Sequence, residues 1–120
     1  MSNNKKKVLV LGSTGILGAT VKKFLKKKVK LCFISRNKYE GVYLKDFKKF
    51  QKLKKIILKL EPKYIINCIG VLINGANADP ENAIFLNSYM PHRLVRIADD
   101  IEAKLIHIST DCVFSGDKKG

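Results

Sequence analysis

Arginine is scarce in this chain. Of 24 basic residues in 120, only Arg36, Arg93 and Arg96 are arginines, and the remainder are lysines. A net charge of +14 would by itself raise a nucleic-acid or membrane-surface reading. Phosphate recognition with geometric demand favours the arginine fork, however, and no aromatic residues interleave with the lysines as a base-stacking surface requires. The excess falls instead on expected helix surfaces, at Lys22, Lys23, Lys26, Lys27, Lys28, Lys48, Lys49, Lys54, Lys55 and Lys59. Solvated faces are the reading, with no nucleic acid as partner. Cysteine is also sparse. Cys32, Cys68 and Cys112 form no Cys-x-x-Cys pair, and no histidine pair stands at ligand spacing, so a metal site is excluded. Reduced, buried thiols in a cytoplasmic protein are expected. Long apolar runs are missing too. Lys5-Lys6-Lys7 before an apolar stretch imitates a secretory leader, but Gly12 interrupts that stretch just after Leu11, too early for a leader core. No membrane segment is expected. There is no repeat, linker or low-complexity stretch, so residues 1–120 read as one domain, able to bury roughly two thirds of its unfolded surface.

What is present begins with Val8-Leu9-Val10-Leu11 running into Gly12-Ser13-Thr14-Gly15-Ile16-Leu17-Gly18, an apolar strand feeding a glycine-spaced turn that opens a helix. Gly12 permits the tight exit, Gly15 lets backbone approach a pyrophosphate, and Gly18 lets the helix pack closely. The helix start offers unpaired N–H donors and a positive dipole end to an anion. Leu17, Val21, Phe24 and Leu25 give the helix an apolar side. This context favours a dinucleotide cradle over a plain structural turn.

Further along, apolar runs alternate with helical periodicity, the pattern of βα units and a parallel sheet in an α/β protein. Strands are expected at about Lys7–Leu11, Lys30–Ser35, Gly41–Leu44, Tyr64–Cys68 and Lys104–Ser109. Helices are expected from Gly15 to about Lys27, along the face of Phe50, Leu53, Ile57 and Leu60 until Pro62, and from Asp79-Pro80 to about Asp99. Pro91 should kink or divide the last of these.

In an open parallel sheet, ligands lie beyond the carboxyl ends of the strands. The glycine turn, Asn67-Cys68-Ile69-Gly70 and Ser109-Thr110-Asp111 all fall there. Ser35-Arg36-Asn37 ends the second strand, where an NAD-preferring site usually places an acidic residue; Arg36 suits the 2′-phosphate of NADP(H) in preference to NAD(H). Asp46-Phe47 either meets the adenine, with Asp46 accepting from its amino group, or is a turn aspartate beside a core phenylalanine. Ser109 and Thr110 offer hydroxyls to a carbonyl under reduction. His107 reads as a satisfied core histidine and His92 as helix surface, while Asn87 either reaches strand backbone or faces solvent.

Together the glycine turn, Asp46-Phe47, Asn67-Cys68-Ile69-Gly70, Leu86-Asn87 with Pro91, and above all Ile108-Ser109-Thr110-Asp111-Cys112-Val113-Phe114-Ser115-Gly116 resemble the extended short-chain dehydrogenase/reductases, in their dTDP-4-dehydrorhamnose reductase-like branch. That branch often has Tyr at the position of Cys112. The resemblance implies a Rossmann-type doubly wound parallel sheet of strand order 3-2-1-4-5, incomplete at its C-terminus, and hydride delivery from NADPH to a keto group on a nucleotide-activated sugar. Thr110 would be the catalytic hydroxyl and also touch substrate, with Asp111 a substrate contact; a homodimer is the expected assembly. The family's proton donor belongs to a Tyr-x-x-x-Lys pair. Tyr39, Tyr43, Tyr64 and Tyr89 all lack a lysine four residues on, and the family's pair and sugar-binding region would fall after Gly120. The expectation is therefore a cofactor-binding portion, inactive alone. The alternatives are a non-catalytic regulatory or scaffolding module, and an epimerase or dehydratase of the same superfamily.

Overall fold

The computed structural model describes residues 6–13, 16–69 and 80–108. Strand β1 (Lys7–Leu11) leads to helix α1 (Ile16–Leu25), then β2 (Lys30–Ser35), the two-residue β3 (Val42–Tyr43) and α2 (Phe50–Leu60). After these come β4 (Tyr64–Asn67), α3 (Pro80–Ile84), a π-helical turn (Phe85–Tyr89), α4 (Met90–Asp100) and β5 (Lys104–His107). The five strands form one sheet of order β3-β2-β1-β4-β5, every neighbouring pair parallel. This is the Rossmann-like order expected from the sequence, and it follows from crossovers that go one way from β1 to β3 and then return past β1 to β4 and β5.

Alternation along the strands divides the core in two. Leu9 and Leu11 of β1, Ile34 of β2 and Ile65 of β4 face Leu53 and Ile57 of α2 and Met90, Leu94, Ile97 and Ala98 of α4. Val8, Val10, Ile66 and Cys68 face the opposite way, with Val21 and Leu25 of α1 packed against them. A strand buried on both faces must be apolar at every position, which is why β1 reads as an unbroken run rather than an alternating one.

Boundaries shift by a residue or two from those expected. Helix α1 ends at Leu25 because residues 26–28 form a turn. Phe24, expected on its apolar side, is 69% exposed. Val21 and Leu25, four apart, supply the contact stripe, and Phe24 lies off its flank. Strand β4 stops at Asn67, one short of Cys68. Helix α2 spans Phe50–Leu60 as expected, and Glu61 turns left-handed at φ 52° to close it, its N–H bonded to Ile57 O, before the buried Pro62. Pro91 does divide the long helix. It has no N–H to give Asn87 O, and its ring crowds that carbonyl, so the preceding turn widens and Met90 N–H reaches back five residues to Phe85 O.

Candidate functional site

The carboxyl ends of β1, β2 and β4 lie on one edge of the sheet, in register: Leu11 pairs with Ile34 on one side and Asn67 on the other. Gly12, the next residue, has φ 79°, a left-handed conformation open to glycine at little cost. A Cβ there would come within 2.9 Å of Cys68 C and Ile69 N. Gly18, in the first turn of α1, is closer still: a Cβ would lie 2.1 Å from Gly12 O and 2.6 Å from Ser13 Cα. Glycine at 12 and 18 therefore brings the β1 exit, the α1 entry and the β4 exit into one tight cradle. Ser13 is 1% exposed, and its Oγ is the buried side-chain polar atom without a hydrogen-bond partner among the described residues. An orphan hydroxyl of this kind costs about 1–3 kcal/mol unless something accepts or donates there. A phosphate oxygen would satisfy it, so the cradle fits the dinucleotide expected from the sequence. Ile16 and Leu17 form the start of α1. Thr14 and Gly15, the middle of the turn, lie outside the described residues.

At the end of β2, Ser35 is buried and its Oγ accepts Asn37 N–H at 2.8 Å, while Asn37 Oδ1 accepts Tyr39 N–H at 2.9 Å. These two nested turns present Arg36 and Asn37 as exposed residues on the loop leaving the strand. Asp46 and Phe47 take the turn arrangement allowed for them. Asp46 Oδ1 accepts Lys48 N–H at 2.9 Å, and Phe47, 6% exposed, belongs to the core under α2.

Cys68 and Ile69 follow β4. Cys68 N–H donates to Leu11 O at 2.8 Å, tying the β4 exit to the β1 exit. Burial pushes the Cys68 thiol above its ordinary pKa, and does the same for Cys32, where the positive charges of Lys7 and Lys30 partly oppose it. Both cysteines are free; Cys32 is only half-buried, against the buried thiol expected, and β3 pairs with Ile34 and Ser35 of β2 without reaching it. Gly70, Ser109, Thr110, Asp111 and Cys112 lie outside the described residues.

His107 corrects its reading in part. The ring is hydrogen-bonded, to Asn67 at 3.1 Å, but the residue is exposed rather than in the core, since β5 is the edge strand among the described residues. Asn67, expected only as the first residue of the polar cluster ending β4, is fully buried and acquires a specific partner in His107. The signal was available: Asn67 and His107 end adjacent strands in the same alternation phase. His92 is exposed on α4 and Asn87 is exposed in the π turn. A separate cleft of about 310 Å³ between α2 and α4 is lined by Phe50, Lys54, Arg93, Arg96, Asp99 and Asp100, and contains none of the strand-end residues. Among the described residues no cluster of metal-ligating side chains occurs, and no helix is long and apolar enough to cross a membrane.

Comparison with known proteins adds a family. The profile described as the RmlD substrate binding domain matches residues 6–120. A dTDP-4-dehydrorhamnose reductase of Escherichia coli is 28% identical over 110 residues, covering 91% of this chain and 36% of the relative. Methionine adenosyltransferase 2 subunit beta of Xenopus laevis is 32% identical over 117 residues, covering 92% of this chain and 34% of the relative. Among solved structures, a hypothetical dTDP-4-dehydrorhamnose reductase from Sulfolobus tokodaii superposes with TM-score 0.80 at 29% identity, over 92% of this chain and 41% of the other. The dTDP-4-dehydrorhamnose reductase of Bacillus anthracis in complex with NADP superposes with TM-score 0.77 at 23% identity, over 98% of this chain and 40% of the other. The chain thus spans little more than a third of the length of these relatives.

Proposed function

This chain belongs to the RmlD substrate binding domain family, whose members include named reductases, and from that membership we propose that it supplies the cofactor-binding portion of an NADP-dependent reductase acting on a keto group of a nucleotide-activated sugar. The observation that carries the proposal is the cradle at the end of β1, where Gly18 has no room for a Cβ and the buried Ser13 hydroxyl has no partner among the described residues. Residues Gly12, Ser13, Thr14, Gly15, Ile16, Leu17 and Gly18 hold the pyrophosphate, chiefly through backbone N–H groups at the start of α1. Arg36, with Ser35 and Asn37 shaping its loop, takes the 2′-phosphate that distinguishes NADP(H) from NAD(H). Asp46 keeps a second carboxylate oxygen for the adenine amino group, above the buried Phe47. Cys68, Ile69 and Gly70 line the middle of the cofactor. The bound NADPH supplies hydride; Thr110 polarises the substrate carbonyl and Asp111 contacts the sugar nucleotide. The site works in the cytoplasm, as a homodimer, without nucleic acid or membrane.

Lacking Tyr-x-x-x-Lys, residues 1–120 bind NADPH without turning over a sugar nucleotide. Titration of the purified chain with NADPH and NADH by nucleotide fluorescence tests the proposal. NADPH should bind more tightly, and Arg36→Ala should weaken NADPH roughly tenfold, the scale of one charge-assisted contact, while leaving NADH unchanged. Equal loss for both nucleotides would remove Arg36 from the 2′-phosphate, and turnover by this chain would refute the assignment of the proton donor.

A second reading is favoured by the Xenopus relative, which is named as a subunit: a non-catalytic Rossmann module serving a partner. Co-purification with a partner whose activity changes on binding, with no reduction of any sugar nucleotide, would favour it. An epimerase or dehydratase of the same superfamily would instead be revealed by product analysis.

A further inference from the structure

Asn67 closes β4 with a fully buried side chain that is bonded at both ends. Its Oδ1 accepts Ile69 N–H at 3.1 Å, forming a turn over the exit of the strand. A backbone N–H can only donate, so this contact fixes which end of the amide is oxygen and which is NH2. The NH2 end then faces His107, with Nδ2 3.1 Å from Nδ1. Because Nδ2 can only donate, Nδ1 accepts, and the imidazole is neutral with its proton on Nε2. The two residues are register partners on adjacent strands, and the backbone repeats the tie where Ile108 N–H donates to Asn67 O at 3.1 Å. On the other side, Cys68 N–H bonds to Leu11 O directly before Gly12. The pair thus joins the exits of β4 and β5, and the next residue, Cys68, joins β4 to β1.

We propose that Asn67 and His107 are a positioning pair that holds the β4 exit, Cys68 and Ile69, at a fixed spacing from the β5 exit that leads into Ser109 and Thr110. The inference rests on the cofactor and substrate roles proposed above for those two exits. Packing does not explain His107, because the residue is exposed and fills little of the core. Its acceptor nitrogen does. Without it the buried NH2 of Asn67 has no partner, the side chain gains by swinging out of the turn to find one, and the Ile69 N–H it holds is released.

Nitrogen-15 NMR of the histidine side chains of the full chain tests the first step. His107 should be the neutral Nε2–H form; protonation at Nδ1, or a freely exchanging mixture, overturns the pair. Two variants test the second. In His107→Asn the side-chain oxygen replaces Nδ1 as acceptor, and amide exchange at Ile69 and the Kd for NADPH should stay within about twofold of wild type. In His107→Leu exchange at Ile69 and Ile108 should quicken roughly tenfold, the worth of one buried hydrogen bond, and NADPH should bind several-fold more weakly. A leucine variant that matches wild type, or an asparagine variant as damaged as the leucine one, overturns the proposal. If the leucine variant does not fold, the tautomer and the asparagine variant decide. A folded wild type that binds no NADPH would end the cofactor reading, while tautomer and exchange would still decide on the pair.

Discussion

Single residues in this chain are constrained for reasons that differ from one position to the next. Gly12 is held by backbone conformation and Gly18 by space, with backbone atoms rather than flexible side chains standing where a Cβ would go. Gly18→Ala therefore has to move the β1 exit or the α1 entry, and should cost about 1–3 kcal/mol of stability, read from the urea midpoint, together with a larger loss of NADPH affinity. A variant with wild-type stability and affinity would show that the cradle is looser than described. The thiols give a pH dependence of known sign. Burial raises the pKa of Cys32 and Cys68 above the ordinary value of 9.0. Below that value folded and unfolded chains both keep the proton; above it the unfolded chain releases it first, so stability falls as pH climbs toward the folded values. Urea midpoints at about pH 8 and about pH 10 should differ less in Cys32→Ala than in wild type.

At the scale of elements, the sequence was most legible where one physical cause dominated. Strand β1 had to be apolar throughout because both of its faces are covered, and α2 announced itself by Leu53 and Ile57 at i and i+4, with Pro62 just past its end. Ile57→Ala should accordingly cost about 2–5 kcal/mol, whereas Leu58→Ala, at a 40% exposed position of the same helix, should stay within about 0.5 kcal/mol. Equal costs would mean that α2 is rotated from the described packing. Legibility failed where the outcome depended on a neighbour distant in sequence. Phe24 looked apolar-facing until the narrow stripe of Val21 and Leu25 was seen to cover its part of the sheet. Pro91 announced a break in the helix, but not that the break would be a widened turn over Phe85–Tyr89. The local half of the role of Asn67, its turn over Ile69 N–H, follows from an asparagine ending a strand, but its tie to His107 depends on β4 and β5 lying in register, 40 residues apart in sequence.

For the whole molecule, the charge is the dominant long-range term. A net charge of +14 is opposed, among the described residues, by the ion pairs Lys22–Glu40 and Lys54–Asp100, both at least partly exposed. Self-repulsion should therefore lower stability at low ionic strength, and raising salt from about 10 mM to about 200 mM should raise the melting temperature. The same charge should give only weak DNA binding without a preferred sequence; steeply salt-dependent, tight binding would contradict the solvated-lysine reading. The fold places this charge around a sheet whose strand ends gather the glycine cradle, the Arg36 loop and the Cys68-Ile69 turn. Two-dimensional NMR of the full chain titrated with NADPH tests that arrangement most directly. The account predicts saturable shifts at Gly12, Ser13, Gly18, Ser35 to Asn37, Cys68 and Ile69. No saturable shifts in the folded chain, or shifts confined to the cleft at Phe50 and Arg93, would contradict it.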